Sequence, residues 1–212
     1  MTDIDVYILI GGRSSRFGSD KAIAELGGQK LAARAFETVS AALPGSRITF
    51  VAQNEAQFAI EAIRLGAAFI FDLVEGRGPL GGLHAALADA RAPWMFVMAC
   101  DYPFVMPSLI QLMSEMISDE FGAVVPVQSD GRMQPLCAFY DVGKTRPLIE
   151  EIIERPRVPP PLHEVVNELA PRLVAYSEYA FLPVAEKMFV NINSSSDMTD
   201  AVKIERKLST EK

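Results

Sequence analysis

Asp5-Val6-Tyr7-Ile8-Leu9-Ile10, followed at once by Gly11-Gly12-Arg13-Ser14-Ser15-Arg16-Phe17-Gly18-Ser19-Asp20-Lys21, is the stretch on which the fold turns. The first six residues are a short β-rich run that fits a buried central strand, and the glycines begin where an α/β sheet opens its ligand crevice. Glycine lets backbone amides approach a phosphate closely. Arg16 supplies a planar guanidinium fork and Lys21 a mobile point charge, both suited to a polyphosphate leaving group. Ser14 and Ser15 add hydroxyl donors. The stretch reads as a nucleoside triphosphate cradle. Its spacing matches neither a Walker loop, with four residues between the glycines and then Gly-Lys-Ser/Thr, nor the Gly-x-Gly-x-x-Gly dinucleotide fingerprint.

Working outward, apolar runs of strand length alternate with helical patterns, the mark of βαβ units around a largely parallel sheet. Gly27-Gly28 predicts a turn, and residues 30–43 predict a helix with Leu31, Ala35, Val39 and Leu43 on one face, ended by Pro44-Gly45. A strand over 47–52, a helix over 55–65 stopped at Gly66, and a strand over 67–71 ending at Asp72 follow. Gly76-Arg77-Gly78-Pro79-Leu80-Gly81-Gly82 reads as a glycine-rich opening to a helix over 83–90, and the strand over 94–100 delivers Asp101. After a helix over 107–117, strands over 123–127 and 133–140 are joined through Ser129-Asp130-Gly131 as a hairpin, which makes the sheet mixed. Residues 141–170 are helical but interrupted by the stiff, proline-rich stretch 155–161, a surface loop. A strand over 172–176 and an amphipathic helix over 196–208 complete the chain.

Half of the 212 residues are hydrophobic, enough to bury a full core, and one domain spanning 1–212 is the simplest organisation. The net charge of −7 argues against a nucleic-acid surface. An acidic protein that handles a polyanionic nucleotide must concentrate positive charge locally or recruit a divalent cation, so Mg²⁺ is the expected cofactor. Cys100 and Cys137 lack metal-ligand spacing and read as small buried hydrophobes. The N-terminus lacks the pattern of a signal peptide, and no apolar run reaches the length of a membrane span, so the expectation is a soluble, cytoplasmic chain without a membrane partner.

Nucleotidyl transfer requires an attacking phosphate oxygen in line with departing pyrophosphate and enough positive charge to spread over the equatorial oxygens. Asp101, after the buried-looking run Met95-Phe96-Val97-Met98-Ala99-Cys100, stands where a sheet delivers a metal-binding carboxylate; the competing reading is a turn or N-cap Asp before Tyr102-Pro103. Asn54 stands where an N-cap of the following helix would. Asn191 and Asn193 lie two apart, so in an extended segment they share a face and can together meet a metal or a phosphate; the competing reading is a turn in that Asn- and Ser-rich stretch. His84 and His163 show no partner pattern for a triad.

The loop 9–21 closely resembles the signature Leu-Ala-Gly-Gly-x-Ser-x-Arg-Met-Gly-x-Asp-Lys of the molybdenum cofactor guanylyltransferases, a nucleotidyltransferase family. The resemblance implies a single-domain, Rossmann-like, three-layer α/β fold with a mostly parallel, mixed central sheet. It implies transfer of GMP from GTP to the terminal phosphate of molybdopterin, with release of pyrophosphate. Lys21, Arg16 and Asp101 are then catalytic, with Asp101 in Cys100-Asp101-Tyr102-Pro103-Phe104 matching the Asp-x-Pro-Phe motif whose Asp holds Mg²⁺. Leu9, Ile10, Gly11, Gly12, Ser14, Lys21, Asn54, Asp72, Gly78 and Asp101 bind the nucleotide. Gln134 and Pro135, in a segment similar to Gly-x-x-Gln-Pro-Leu, and Asn191 and Asn193, in one similar to Phe-x-Asn-x-Asn, bind the acceptor. Residues 1–104 are expected to serve mainly GTP and Mg²⁺, residues 105–212 mainly the acceptor, with transient contact to other molybdenum cofactor biosynthesis or acceptor proteins.

The match has departures. Ile10 stands where Ala is usual, Phe17 where Met is usual, and Ser194-Ser195-Ser196-Asp197 replaces the common Thr-Pro-Glu/Asp. The sister cytidylyltransferase usually reads Ala-Ala-Gly and Asp-Gln-Pro at the two motifs, and a sugar-phosphate nucleotidyltransferase Gly-x-Gly-x-Arg with a Pro-Lys pair. A binding module without turnover is the alternative from another class, against which the presence of both Lys21 and Asp101 argues.

Overall fold

A computed structural model describes residues 2–10, 24–53, 65–74, 76–155 and 158–210. The cradle loop 11–21 and the expected helix over 55–65, apart from Leu65 in a turn, lie outside these residues, as do 156–157 of the proline-rich stretch. The strands in chain order are β1 (Ile4–Leu9), β2 (Glu25–Leu26), β3 (Gln29–Lys30), β4 (Arg47–Ala52), β5 (Ala68–Phe71), β6 (Trp94–Ala99), β7 (Ala123–Pro126), β8 (Cys137–Asp141) and β9 (Arg172–Val174). Seven of them form one sheet in the order β5-β4-β1-β6-β8-β7-β9, in which β8 alone runs against its neighbours β6 and β7. From β1 the chain builds outward through β4 and β5, then returns to pair β6 with the other side of β1. That reversal is a topological switch point, and ligands of open α/β sheets bind beyond the carboxyl ends of the strands there.

Period-two alternation along buried strands divides the core into two layers. Val6, Ile8, Phe96 and Met98 face a layer covered by helices Leu31–Ala42 and Pro107–Ser114, whereas Tyr7, Leu9, Met95 and Val97 face helices Pro79–Asp89 and Val142–Glu154. The result is the expected three-layer α/β arrangement. Cys100 and Cys137 are buried in the first layer. Among the described residues no helix is long and apolar enough to cross a membrane.

Three sequence expectations move. The helix expected over 83–90 begins at Pro79, with Gly78 as its N-cap at φ 56° and Gly81 and Gly82 inside its first turns. These glycines serve close approach: a Cβ on Gly81 would stand 3.1 Å from Asp72 Oδ2, and one on Gly82 3.2 Å from a Leu9 methyl. The strand expected over 133–140 is Cys137–Asp141, because Pro135 has no N–H for a ladder, and ahead of it Met133 makes an isolated bridge to Val127 across the turn. The hairpin itself forms, with Gly131 at φ 85° and its amide donating to Gln128 O at 2.9 Å. The strand over 172–176 stops at Val174, and Tyr176 opens a short helix.

Gly27 and Gly28, both at positive φ, turn β2 back onto β3 immediately after the cradle segment. This hairpin is held by the last helix, Ser195–Thr210, which buries Ala201 against Leu26, Leu31, Phe104 and Ile192. Arg34 bridges the two by pairing with Glu205 and donating to Leu26 O at 3.0 Å. Ser194-Ser195-Ser196-Asp197 works as a helix start: Ser194 Oγ accepts from Asp197 N at 3.2 Å and Asp197 Oδ2 accepts from Asn193 N at 2.9 Å.

At the amino-terminal edge of the sheet, Asp5 is 5% exposed and accepts from Arg47 Nε at 3.0 Å and from the amides of Arg91 and Ala92 at 2.7 and 3.0 Å. Arg47 also meets Asp89 at 2.6 Å, and Tyr7 Oη both donates to Asp89 at 2.9 Å and accepts from Arg47 at 2.8 Å. Burial opposes ionisation of Asp5, but the Arg47 and backbone hydrogen bonds outweigh it and hold the carboxyl below its usual range.

Candidate functional site

At the opposite edge, four parallel strands end side by side, and backbone hydrogen bonds lock their ends together. Asp72 N donates to Ala52 O at 2.8 Å, Ile10 N to Val51 O at 2.9 Å, and Cys100 N to Leu9 O at 3.1 Å. Asp72 therefore closes one end of a row and Asp101 the other, with the ends of β4 and β1 between them. Three strand spacings, about 14 Å, separate the two strand positions, so only an extended ligand bridges them. Ile10, the residue before the glycine-rich cradle, and Gln53, the residue before Asn54, stop on the same row. Gly11, Gly12, Ser14, Arg16, Lys21 and Asn54 lie outside the described residues.

Leu9 and Ile10, expected to meet the nucleotide, are 7% and 4% exposed. The Leu9 side chain packs on Gly82, its carbonyl is taken by Cys100, and the Ile10 amide is taken by Val51. What this strand end offers a ligand is main chain at its tip rather than side chain. Gly78 adopts φ 56° and ψ −140°, a conformation open to glycine, while the space where a Cβ would stand is clear.

Asp72 is half-buried with its carboxylate against the first turns of helix Pro79–Asp89, 3.1 Å from the position of a Gly81 Cβ and 3.6 Å from that of Gly82. Burial raises its pKa to about 6. Desolvation is the cause, and it leaves at the crevice edge a carboxylate whose charged form is disfavoured.

Asp101 follows β6 with its Oδ1 buried. Beside it runs the segment 189–193, stitched on by Ile192 N donating to Asp101 O at 3.1 Å. Asn191 is half-buried, and its Oδ1 is buried without a hydrogen-bond partner, whereas Asn193 is exposed. A carboxylate and an unmet amide oxygen on adjacent segments are hard donors of the kind Mg²⁺ takes. No cluster of three or more His, Cys, Asp or Glu side chains gathers among the described residues, so a cation at Asp101 would need water and substrate oxygens to complete its shell.

Gln134 is 9% exposed, and both ends of its side chain meet protein: Oε1 accepts from Tyr102 Oη at 3.0 Å and Nε2 donates to Gln128 Oε1 at 2.7 Å. Pro135 O accepts from Tyr140 Oη at 2.7 Å. Tyr102 is 8% exposed, and burial pushes its phenol well above the ordinary range, so it stands as a proton donor. No local sequence pattern assigns a role to Tyr102 or Gln128. The available signal was a hydroxyl-bearing aromatic directly after a strand-end Asp, where an apolar residue would bury as well.

Comparison with known proteins agrees with this geometry. Residues 6–169 match the family described as the MobA-like NTP transferase domain. The chain is 31% identical over 194 residues to a probable molybdenum cofactor guanylyltransferase of Pelotomaculum thermopropionicum, covering 92% of this chain and 89% of that protein. It is 30% identical over 202 residues to the molybdenum cofactor guanylyltransferase of Desulfosudis oleivorans, covering 95% of each. Its structure is similar to the crystal structure of molybdopterin-guanine dinucleotide biosynthesis protein A from Archaeoglobus fulgidus, with a TM-score of 0.79 at 28% identity over 96% of this chain and 99% of that one. A mixed sheet with its switch point between β1 and β6, two carboxylates closing the row of strand ends, and a family match across most of the chain lead to one conclusion: this protein is a nucleotidyltransferase that belongs to the MobA-like NTP transferase family.

Proposed function

We propose that this protein transfers GMP from GTP to the terminal phosphate of molybdopterin. A phosphate oxygen of the pterin attacks the α-phosphorus, the bond to the bridging oxygen of the β-phosphate breaks, and pyrophosphate leaves with the electron pair. The products are pyrophosphate and a pterin–guanine dinucleotide joined by a new P–O–P link. The observation that carries the reading is the row of strand ends bounded by Asp72 and Asp101, in a chain whose curated relatives are named guanylyltransferases.

Lys21 and Arg16 neutralise the charge that grows on the departing pyrophosphate, and Gly11, Gly12 and Ser14 cradle it with backbone and hydroxyl donors. Leu9, Ile10, Asn54, Asp72 and Gly78 surround the nucleoside, with the Asp72 carboxylate an acceptor suited to guanine N–H groups. Asp101, with Asn191 beside it, would hold Mg²⁺, which when bound spreads the charge of the triphosphate. Residues 105–212 contribute Gln134, Pro135, Asn191 and Asn193 to the acceptor side. Because the Gln134 side chain is already bonded at both ends, it shapes that wall and offers molybdopterin only its second donor and acceptor positions.

Pyrophosphate release from GTP, CTP, UTP and ATP in the presence of molybdopterin and Mg²⁺ tests the reading. Release from GTP in preference to the other three is the expected result. Preference for CTP moves the protein to cytidylyl transfer, and release with none of the four overturns the reading.

A further inference from the structure

We propose that Tyr102 is a positioning residue: its buried hydrogen bond to Gln134 fixes the Asp101 strand end and the adjoining 189–193 segment in one geometry. This rests on the transferase reading for its kinetic consequence, but its structural part stands on contacts alone. Gln134 is a fixed post. Its amide donates to Pro126 O at 3.0 Å, its carbonyl accepts from Cys137 N at 3.0 Å, and its side-chain amide donates to Gln128 at 2.7 Å. The Tyr102 hydroxyl ties the acidic loop to that post at 3.0 Å, while its ring meets Phe189 edge-on at 5.8 Å, two residues before Asn191. Phe189 in turn meets the ring of Tyr179, whose hydroxyl donates to Val127 O at 3.0 Å in the strand arm of the same hairpin.

Packing alone does not call for the hydroxyl. Tyr102 lies in an apolar cluster with Val105, Tyr179, Met188 and Phe189, where phenylalanine would bury the same ring. The hydroxyl adds direction, because a buried acceptor such as Gln134 Oε1 is costly to leave without its donor. Three threads meet at three consecutive residues: the β1 ladder through Cys100, the 189–193 segment through Asp101 O, and the hairpin through Tyr102 and Gln134. An error in any of them moves a carboxylate whose placement controls rate.

Tyr102→Phe in the full chain tests this. Hydrogen exchange of the Ile192 amide, which bonds to Asp101 O, is expected to quicken about tenfold while the β1 amides keep their wild-type rates. With GTP and molybdopterin, kcat is expected to fall about tenfold with the KM for GTP unchanged. Gln128→Ala, which loosens the post and leaves Tyr102 in place, should give the same pattern at about threefold amplitude, and it decides the matter if Tyr102→Phe does not fold. Wild-type exchange at Ile192 in the variant, or a lower melting temperature with unchanged kcat, overturns the proposal. If wild type fails to use GTP, the transferase reading falls and the exchange rates alone decide the role of Tyr102.

Discussion

Asp5 and Asp72 are carboxylates brought to opposite edges of one sheet, and their surroundings push them in opposite directions. Asp5 is almost fully buried, yet Arg47 and two backbone amides meet its oxygens, so its pKa lies below the ordinary value. Asp72 is less buried, but it faces the glycine turns of a helix where desolvation dominates, and its pKa rises to about 6. Burial alone therefore does not separate architecture from function. What separates them is whether the polar groups close on each other. The amino-terminal edge forms a network of Asp5, Tyr7, Arg47 and Asp89 that reads as structural. The carboxyl-terminal edge holds a desolvated carboxylate and the unmet Oδ1 of Asn191 at the switch point.

The comparison breaks most sharply at the charges proposed to be catalytic. Lys21→Ala and Asp101→Ala are each expected to lower turnover by about 10²- to 10³-fold with melting temperature unchanged, since each removes charge complementary to the transition state. Steady-state pyrophosphate release and a thermal melt on the same samples check this; wild-type rates in both variants would remove the site from this edge. At the other edge, Asp5→Asn should act on stability and spare turnover. Loss of a buried charge partner for Arg47 costs about 2 kcal/mol, or about 4–8 °C in melting temperature for a chain of this size. Because the folded pKa of Asp5 is depressed, the loss is full above the ordinary aspartate value of 3.8 and shrinks as pH falls through the folded pKa.

Asp72→Asn should have the reverse sign. The raised pKa means that the folded state carries a cost when Asp72 ionises, so the variant melts higher than wild type above pH of about 6, with the gain fading as pH falls toward the ordinary aspartate value of 3.8. Its GTP affinity should drop about tenfold as the acceptor for base N–H groups loses its charge. A pH series of melts for the Asp5 and Asp72 variants displays the contrast directly. The smallest effect is expected from Gly81→Ala, whose Cβ would press the Asp72 oxygen at 3.1 Å and the Val74 carbonyl at 3.2 Å. Helix propensity favours alanine by about 1 kcal/mol, so stability stays near wild type while GTP affinity falls a few-fold, as read by calorimetry.

Much of this was legible in the sequence where a local pattern and the global fold agree. The all-apolar run of β6, the Asp at its end and the Ser-Asp-Gly hairpin each carry their signal in a few adjacent residues. The glycines at 76–82 did not, because the same residue type serves an N-cap at positive φ in Gly78 and close helix packing at Gly81 and Gly82. Nor did Tyr102, Gln134 and Gln128, whose partners are up to 32 residues apart in the chain and meet only once β6 and β8 pair. The Asp5 network was hidden for the same reason: Asp5, Arg47 and Asp89 sit in separate elements that parallel pairing brings to one edge.

Calorimetric titration of GTP into wild-type protein and Asp101→Asn, with and without Mg²⁺ and against CTP, UTP and ATP, tests the central claim most directly. The account predicts that wild type binds GTP in preference to the other three, that Mg²⁺ tightens this binding, and that Asp101→Asn loses the tightening. Equal affinity for all four nucleotides, or an undiminished Mg²⁺ effect in Asp101→Asn, would contradict it.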